Sequence, residues 1–236
     1  MKSTFVYLII LFISLQVSAQ SPIGAWEKYH HDESGESLRS VSVFTDQYQV
    51  TTTYNVDTGE FIETKGGSWR IEGSKLIKTF EFNSDNPKLV GTEIHLAINI
   101  NDSILEIVGT NIKMKRVDDG TPGALHGAWL MSGRTLEGKT QLRDTDTPRK
   151  TMKILSGTRF QWIAYNTETK EFMATGGGTY RTKNGKYTEN IEFFSRDNSR
   201  VGLQLTFDYK LINGNWHHSG LSTKGDPIDE VWSKRK

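Results

Sequence analysis

The sequence predicts an all-β protein: two tandem antiparallel up-and-down barrels of about eight strands each, behind a cleaved signal peptide. Three observations predict this. Apolar and polar residues alternate in short runs, with no long helical period. Turn signals separate those runs at spacings of about 8–12 residues. Blocks of the first half return in the second half, in order and at nearly constant spacing.

The N-terminus is read first, because it is set aside from the fold. Lys2 precedes an apolar run from Phe5 to Leu15, and Val17-Ser18-Ala19 follows. The run is about 11 residues long, the length of a signal-peptide core and short for a membrane span. Residues 1–19 are therefore expected to be a signal peptide, and the mature chain to be exported to the periplasm or the medium. No later segment reads as membrane-crossing. There is no cysteine, so stability in an oxidising compartment must come from packing. Lys+Arg is 29 against 28 for Asp+Glu, a balance that gives no electrostatic reason to engage nucleic acid.

The repeat sets the domain boundaries. Gly24-Ala25-Trp26 returns as Gly127-Ala128-Trp129, and Tyr48-Gln49 pairs with Phe160-Gln161. YNVDTGEF from Tyr54 matches YNTETKEF from Tyr165, and TKGGSWR from Thr64 matches TGGGTYR from Thr175. Glu81-Phe82 matches Glu192-Phe193. The offset in the later blocks is 111, as from Thr64 to Thr175. Two homologous domains follow, 23–117 and 126–236, joined by a Gly- and Pro-containing linker, DDGTPGALH.

The strands then fall into place in order. Alternation is clear in SVSVF, YQVTTTY, TMKIL, RFQWIAY, NIEFF and LQLTFDY. Asn184-Gly185 and Asn213-Gly214 are strong hairpin signals, because both residue types tolerate positive φ. The sequential hairpins favour a meander over Greek-key crossings.

Gly24-x-Trp26 near the start of one meander and Gly127-x-Trp129 near the start of the other resemble the lipocalin (calycin) barrels. The resemblance implies that each Trp plugs a barrel end beneath a basic residue of the last strand. Lys115 or Arg116 is the candidate for the first barrel, and Lys234 or Arg235 for the second. The Gly176–Tyr180 block GGGTY and the Tyr187-Thr188-Glu189 block are similar to those of exported bacterial proteins with lipocalin-like domains of no established activity.

Strand parity nominates the interior of the second barrel. Met152, Ile154, Trp162, Tyr180, Tyr187, Glu189, Phe193 and Phe207 read as inward. Glu189 stands out, since a carboxylate inside a barrel costs several kcal/mol unless it is paired or protonated. Candidate partners are Tyr180, Tyr187, Arg159 and the pair His217-His218. At the offset of 111 the first domain carries Lys78 in place of Glu189 and Leu76 in place of Tyr187, so the fold does not require the acid. Adjacent histidines point to opposite faces of a strand, which argues against a metal site; no cofactor is expected.

These residues support an exported protein that binds a small, partly apolar ligand inside the second barrel. Trp162, Tyr180, Tyr187, Phe193 and Phe207 would be the walls, Glu189 the polar anchor, and Arg159 and His217 further polar contacts. A protein-interaction module with packed barrels is the alternative. An enzyme using Glu189 and His217 as acid and base is the third reading.

Overall fold

The computed structural model describes residues 21–121 and 123–236, and the predicted signal peptide lies outside them. The described chain folds as two closed antiparallel barrels. The first runs through β1 (Gly24–His31), β2 (Ser37–Phe44), β3 (Tyr48–Asn55), β4 (Phe61–Glu72), β5 (Lys75–Asn83), β6 (Glu93–Ile100), β7 (Ile104–Ile107) and β8 (Lys113–Asp118). Each strand pairs with the next, and β8 pairs back onto β1. The second comprises β9 (Gly127–Leu136), β10 (Lys139–Leu142), β11 (Arg149–Leu155), β12 (Arg159–Asn166), β13 (Glu171–Lys183), β14 (Lys186–Phe194), β15 (Gln204–Ile212), β16 (Asn215–Leu221) and β17 (Pro227–Lys234). Here β17 closes onto β9, while β10 only extends the end of β9 as a hairpin arm. The two Asn-Gly hairpins form as their sequence predicts, with positive φ at Asn184, Gly185, Asn213 and Gly214.

Each barrel is floored by its tryptophan. Trp26 and Trp129 are both buried, and each indole N–H donates 2.8 Å to a backbone carbonyl four residues earlier, of Pro22 and Leu125. Arg116 lies 4.0 Å over the Trp26 ring, and Lys234 lies 5.2 Å from the Trp129 ring centre. Arg235 turns away toward the other barrel.

Register matches the barrels residue for residue. Trp26 pairs with Ser42, and Trp129 with Lys153. Lys78 sits between Trp69 and Ile94, as Glu189 sits between Tyr180 and Leu205. One sequence match slips by a residue: Phe44 pairs with Gln49 and Leu155 with Phe160, so Gln49 corresponds to Phe160. Both barrels also share a bulge. Gly67 and Gly178 adopt φ of 156°, and a Cβ at either would lie 2.1 Å from a carbonyl oxygen of the neighbouring strand. The bulge inserts Glu81 into β5 and Glu192 into β14.

The barrels pack through their outer walls. Ala25, Val41, Val43, Val50, Tyr54 and Phe82 of the first form one core with Ala128, Met152, Ile154, Ile163, Tyr165 and Phe193 of the second. A two-fold exchange of polar contacts ties this core. Tyr54 donates 2.6 Å to Glu192, and Tyr165 donates 2.5 Å to Glu81. Tyr54 stacks on Phe193 at 5.0 Å, and Phe82 meets Tyr165 at 4.8 Å. Arg39 and Arg159 both bind Glu192, and Arg235 binds Glu81. At the buried centre Gln161 accepts from Thr52 and donates to Thr64 and Thr175.

Two stability predictions follow from these contacts. Trp129→Ala should cost about 3–5 kcal/mol in denaturant unfolding, the scale for emptying a packed aromatic site. A loss below about 1 kcal/mol would show that the indole is not a plug. Glu192→Ala should cost about 3 kcal/mol, because it strands the enclosed Arg159 guanidinium and the Tyr54 hydroxyl, while Arg39 keeps Glu27.

Candidate functional site

The interior of the second barrel is built from β9 and β11–β17 and is filled. Trp129, Phe160, Tyr180, Tyr187, Phe207, Trp216 and Trp232 form one buried cluster, with Trp162, Leu205 and Tyr209 at its margin. Glu189 points inward, as its parity predicts, and is 4% exposed. Its carboxylate accepts 2.8 Å hydrogen bonds from Lys153 Nζ and from the Tyr187 hydroxyl. Lys153 Nζ in turn lies 5.1–5.8 Å from the ring centres of Tyr187, Phe207, Trp216 and Trp232. The ammonium is thus boxed by rings and neutralised by the acid. Burial, followed by the Glu189 charge and hydrogen bond, raises the Tyr187 hydroxyl well above the usual tyrosine range, so it stays a donor. Tyr180 donates 2.6 Å to the Ser156 carbonyl and not to Glu189.

The remaining nominated residues lie elsewhere. Phe193 belongs to the shared core between barrels, because the bulge at Glu192 flips the parity beyond it. Met152 and Ile154 are also in that shared core, and Lys153 between them takes the inward place. Arg159 faces the first barrel and binds Glu192 at 2.6 Å, out of line with Glu189. On β16 the inward histidine is His218, against Phe207 at 4.1 Å, so strand alternation turns His217 outward. His218 is held below the usual histidine range by burial and then by Lys153. Glu189 and His217 therefore do not converge.

The open interior is that of the first barrel, while the second carries a groove of about 390 Å³ lined by Asp208, Lys210, His217 and Ser219. A cavity of about 360 Å³ occupies the first barrel's interior. Register explains why. The ring positions Tyr187, Phe207, Trp216 and Trp232 correspond to Leu76, Leu96, Leu105 and Met114, and His218 corresponds to Ile107. All five of these smaller residues line the cavity. The same closed frame, stripped of its large rings, is hollow.

The cavity has two kinds of wall. From β1–β4 it receives Lys28, His30, Ser40, Ser42, Thr51, Thr53, Glu63 and Lys65, with Phe44 the apolar exception. From β5–β8 and the turn before β8 it receives aliphatic and aromatic side chains, with Lys78 the charged exception and Thr110 a lone hydroxyl. Lys65 pairs with Glu63 at 3.0 Å, and Lys28 donates to the Asn111 carbonyl at 3.2 Å. Lys78 is half-buried, 5.7 Å from the Phe44 ring. Among the described residues its ammonium has no hydrogen bond and no ion pair, and it lines the open volume. Burial, with Lys65 adding repulsion, pulls its pKa down from 10.5 to about 8. Sequence parity put Lys78 at the Glu189 position; comparing the sizes of all matched inward residues would have located the hollow too.

Residues 124–236, the span of the second barrel, match a family model described as a domain of unknown function, DUF4488. No curated protein matches the chain.

Both lysine environments predict measurable effects. Glu189→Gln should cost about 3–5 kcal/mol, since it leaves Lys153 buried without its counter-charge. Lys78 should behave in the opposite way. Between pH 8 and 10.5 the unfolded chain keeps the lysine proton and the folded chain releases it. Stability should therefore rise with pH in that window, relative to Lys78→Met, by up to about 3 kcal/mol. Denaturant curves for the two proteins at pH 7.5 and pH 10 check the sign, and parallel behaviour would show that Lys78 is well solvated.

Proposed function

We propose that this chain is an exported, lipocalin-like binding protein that holds a small, partly apolar ligand inside its first barrel. The observation that carries the reading is the two-faced cavity of β1–β8, whose volume falls in the range of small-molecule sites. It has room for at least about a dozen non-hydrogen atoms. An apolar tail would lie on the aliphatic wall of β5–β8, and hydroxyl groups would meet the serines and threonines of β2 and β3. The second barrel, packed by its own rings, would serve as the rigid support. Export rests on Lys2, the apolar run Phe5–Leu15 and Val17-Ser18-Ala19.

The test uses a neutral apolar fluorophore, N-phenyl-1-naphthylamine. Wild type should bind it with enhanced emission. Leu105→Trp combined with Met114→Trp copies the filling of the second barrel into the first and should weaken binding at least about 10-fold. Leu96→Phe, a smaller change copied from Phe207, should weaken it by less. Circular dichroism and the unfolding midpoint show that each variant is folded. Equal binding by wild type and both variants would place the site outside the first barrel.

A further inference from the structure

We propose that the ligand of the first barrel is an amphiphile with a single carboxylate, and that Lys78 is the residue that binds it. This rests on the cavity reading above and names its ligand class.

The argument begins with the internal comparison. In the second barrel one inward cation, Lys153, meets one inward anion, Glu189. In the first barrel the anion position carries Lys78 and the cation position carries Ser42. The charge has therefore changed sign, and the side chain that would neutralise it has become a short hydroxyl. Ser42 is itself occupied: its hydroxyl bonds Thr51 at 2.7 Å. The wall around Lys78 offers Phe44, Leu76, Phe80 and Ile94, none of which carries an acceptor side chain.

The other charged groups of the cavity are already engaged. Glu63, its only lining acid, is held by Lys65. Lys28 makes one 3.2 Å bond to the Asn111 carbonyl, and it is not among the charges that act on Lys78. Among the described residues Lys78 is the one cation on the aliphatic wall, beside open volume. A dianionic phosphate needs more than one free positive group or a helix terminus. A monoanion needs one. A carboxylate at Lys78, followed by a hydrocarbon portion along Leu76, Leu96 and Leu105, satisfies both the charge and the wall. A neutral apolar ligand would leave the ammonium enclosed without a partner, which is costly.

The experiment is competition against bound N-phenyl-1-naphthylamine by decanoate, decan-1-ol and decylammonium at pH 7. These probes share a tail and differ in head group. On wild type, decanoate should displace the fluorophore at a concentration at least about 10-fold lower than decanol, and decylammonium should be the weakest. On Lys78→Met the decanoate advantage should vanish while fluorophore binding persists. Lys78→Arg should retain much of the advantage, which separates loss of charge from loss of packing. If Lys78→Met does not fold, Lys78→Gln takes its place in the same comparison. Equal competition by decanoate and decanol on wild type overturns the proposal. So does a decanoate preference that survives in Lys78→Met or Lys78→Gln, because another group would then hold the anion. Failure of wild type to bind the fluorophore at all is a different result: it overturns the cavity reading itself.

Discussion

Closing eight antiparallel strands fixes the radius of what they enclose, and everything else in this molecule follows from how that fixed volume is occupied. The two barrels share their register, tryptophan floors, bulges and hairpin order. They differ in the size of the residues on a few inward positions. Tryptophans 216 and 232 fill the axis of the second barrel, and Leu105 and Met114 leave it open in the first. Backbone geometry thus sets the container, and side-chain volume alone decides between a core and a cavity.

A hollow barrel gives up internal packing, and that loss must be offset elsewhere. Here the offset comes from outside. The outer faces of β1–β5 are buried against the second barrel by the shared apolar core and the Tyr54–Glu192 and Tyr165–Glu81 exchange. The wall at β6 has no such support: its outward residues Glu93, His95, Ala97 and Asn99 are exposed, and support returns only at Val117 of β8. One side of the cavity is therefore clamped and the other is held only by its strand ladder. The polar lining of β1–β4 lies wholly on the clamped side, and the aliphatic lining begins on clamped β5 and continues over the unsupported strands.

Much of this fold is legible in the sequence, because repeats, Asn-Gly turns and Gly-x-Trp are local signals. The inward position of Glu189 is legible for the same reason, since period-2 alternation holds along Tyr187, Glu189 and Ile191. Alternation fails where both faces are apolar. On β11 Met152 and Ile154 look like core, and they are, but the core lies between the barrels, and a lysine takes the interior. It fails again at Glu192, where one extra residue reverses the parity and carries Phe193 outward. Arg159 is drawn from Glu189 to Glu192 by the same bulge. Local patterning cannot tell a barrel's inner wall from a wall buried by a second barrel. Only the pairing of the two repeats, position by position, separates them.

That pairing also bears on why the first barrel is hollow. A barrel that had merely lost its filling has no use for an ammonium at position 78, on a wall whose burial pulls its pKa down to about 8. The neighbouring inward residues Leu76 and Leu96 show that aliphatic side chains suit this wall. Among the described residues the lysine is the one charged residue on it. The second barrel shows what such a residue requires: Lys153 is tolerated because Glu189 and four rings surround it. In the first barrel the cation stands at the acid's own position, with the Phe44 ring at 5.7 Å and, among the described residues, no acid paired to it. Empty volume and unmatched charge thus coincide, and together they define one shape and one sign for what fits between them.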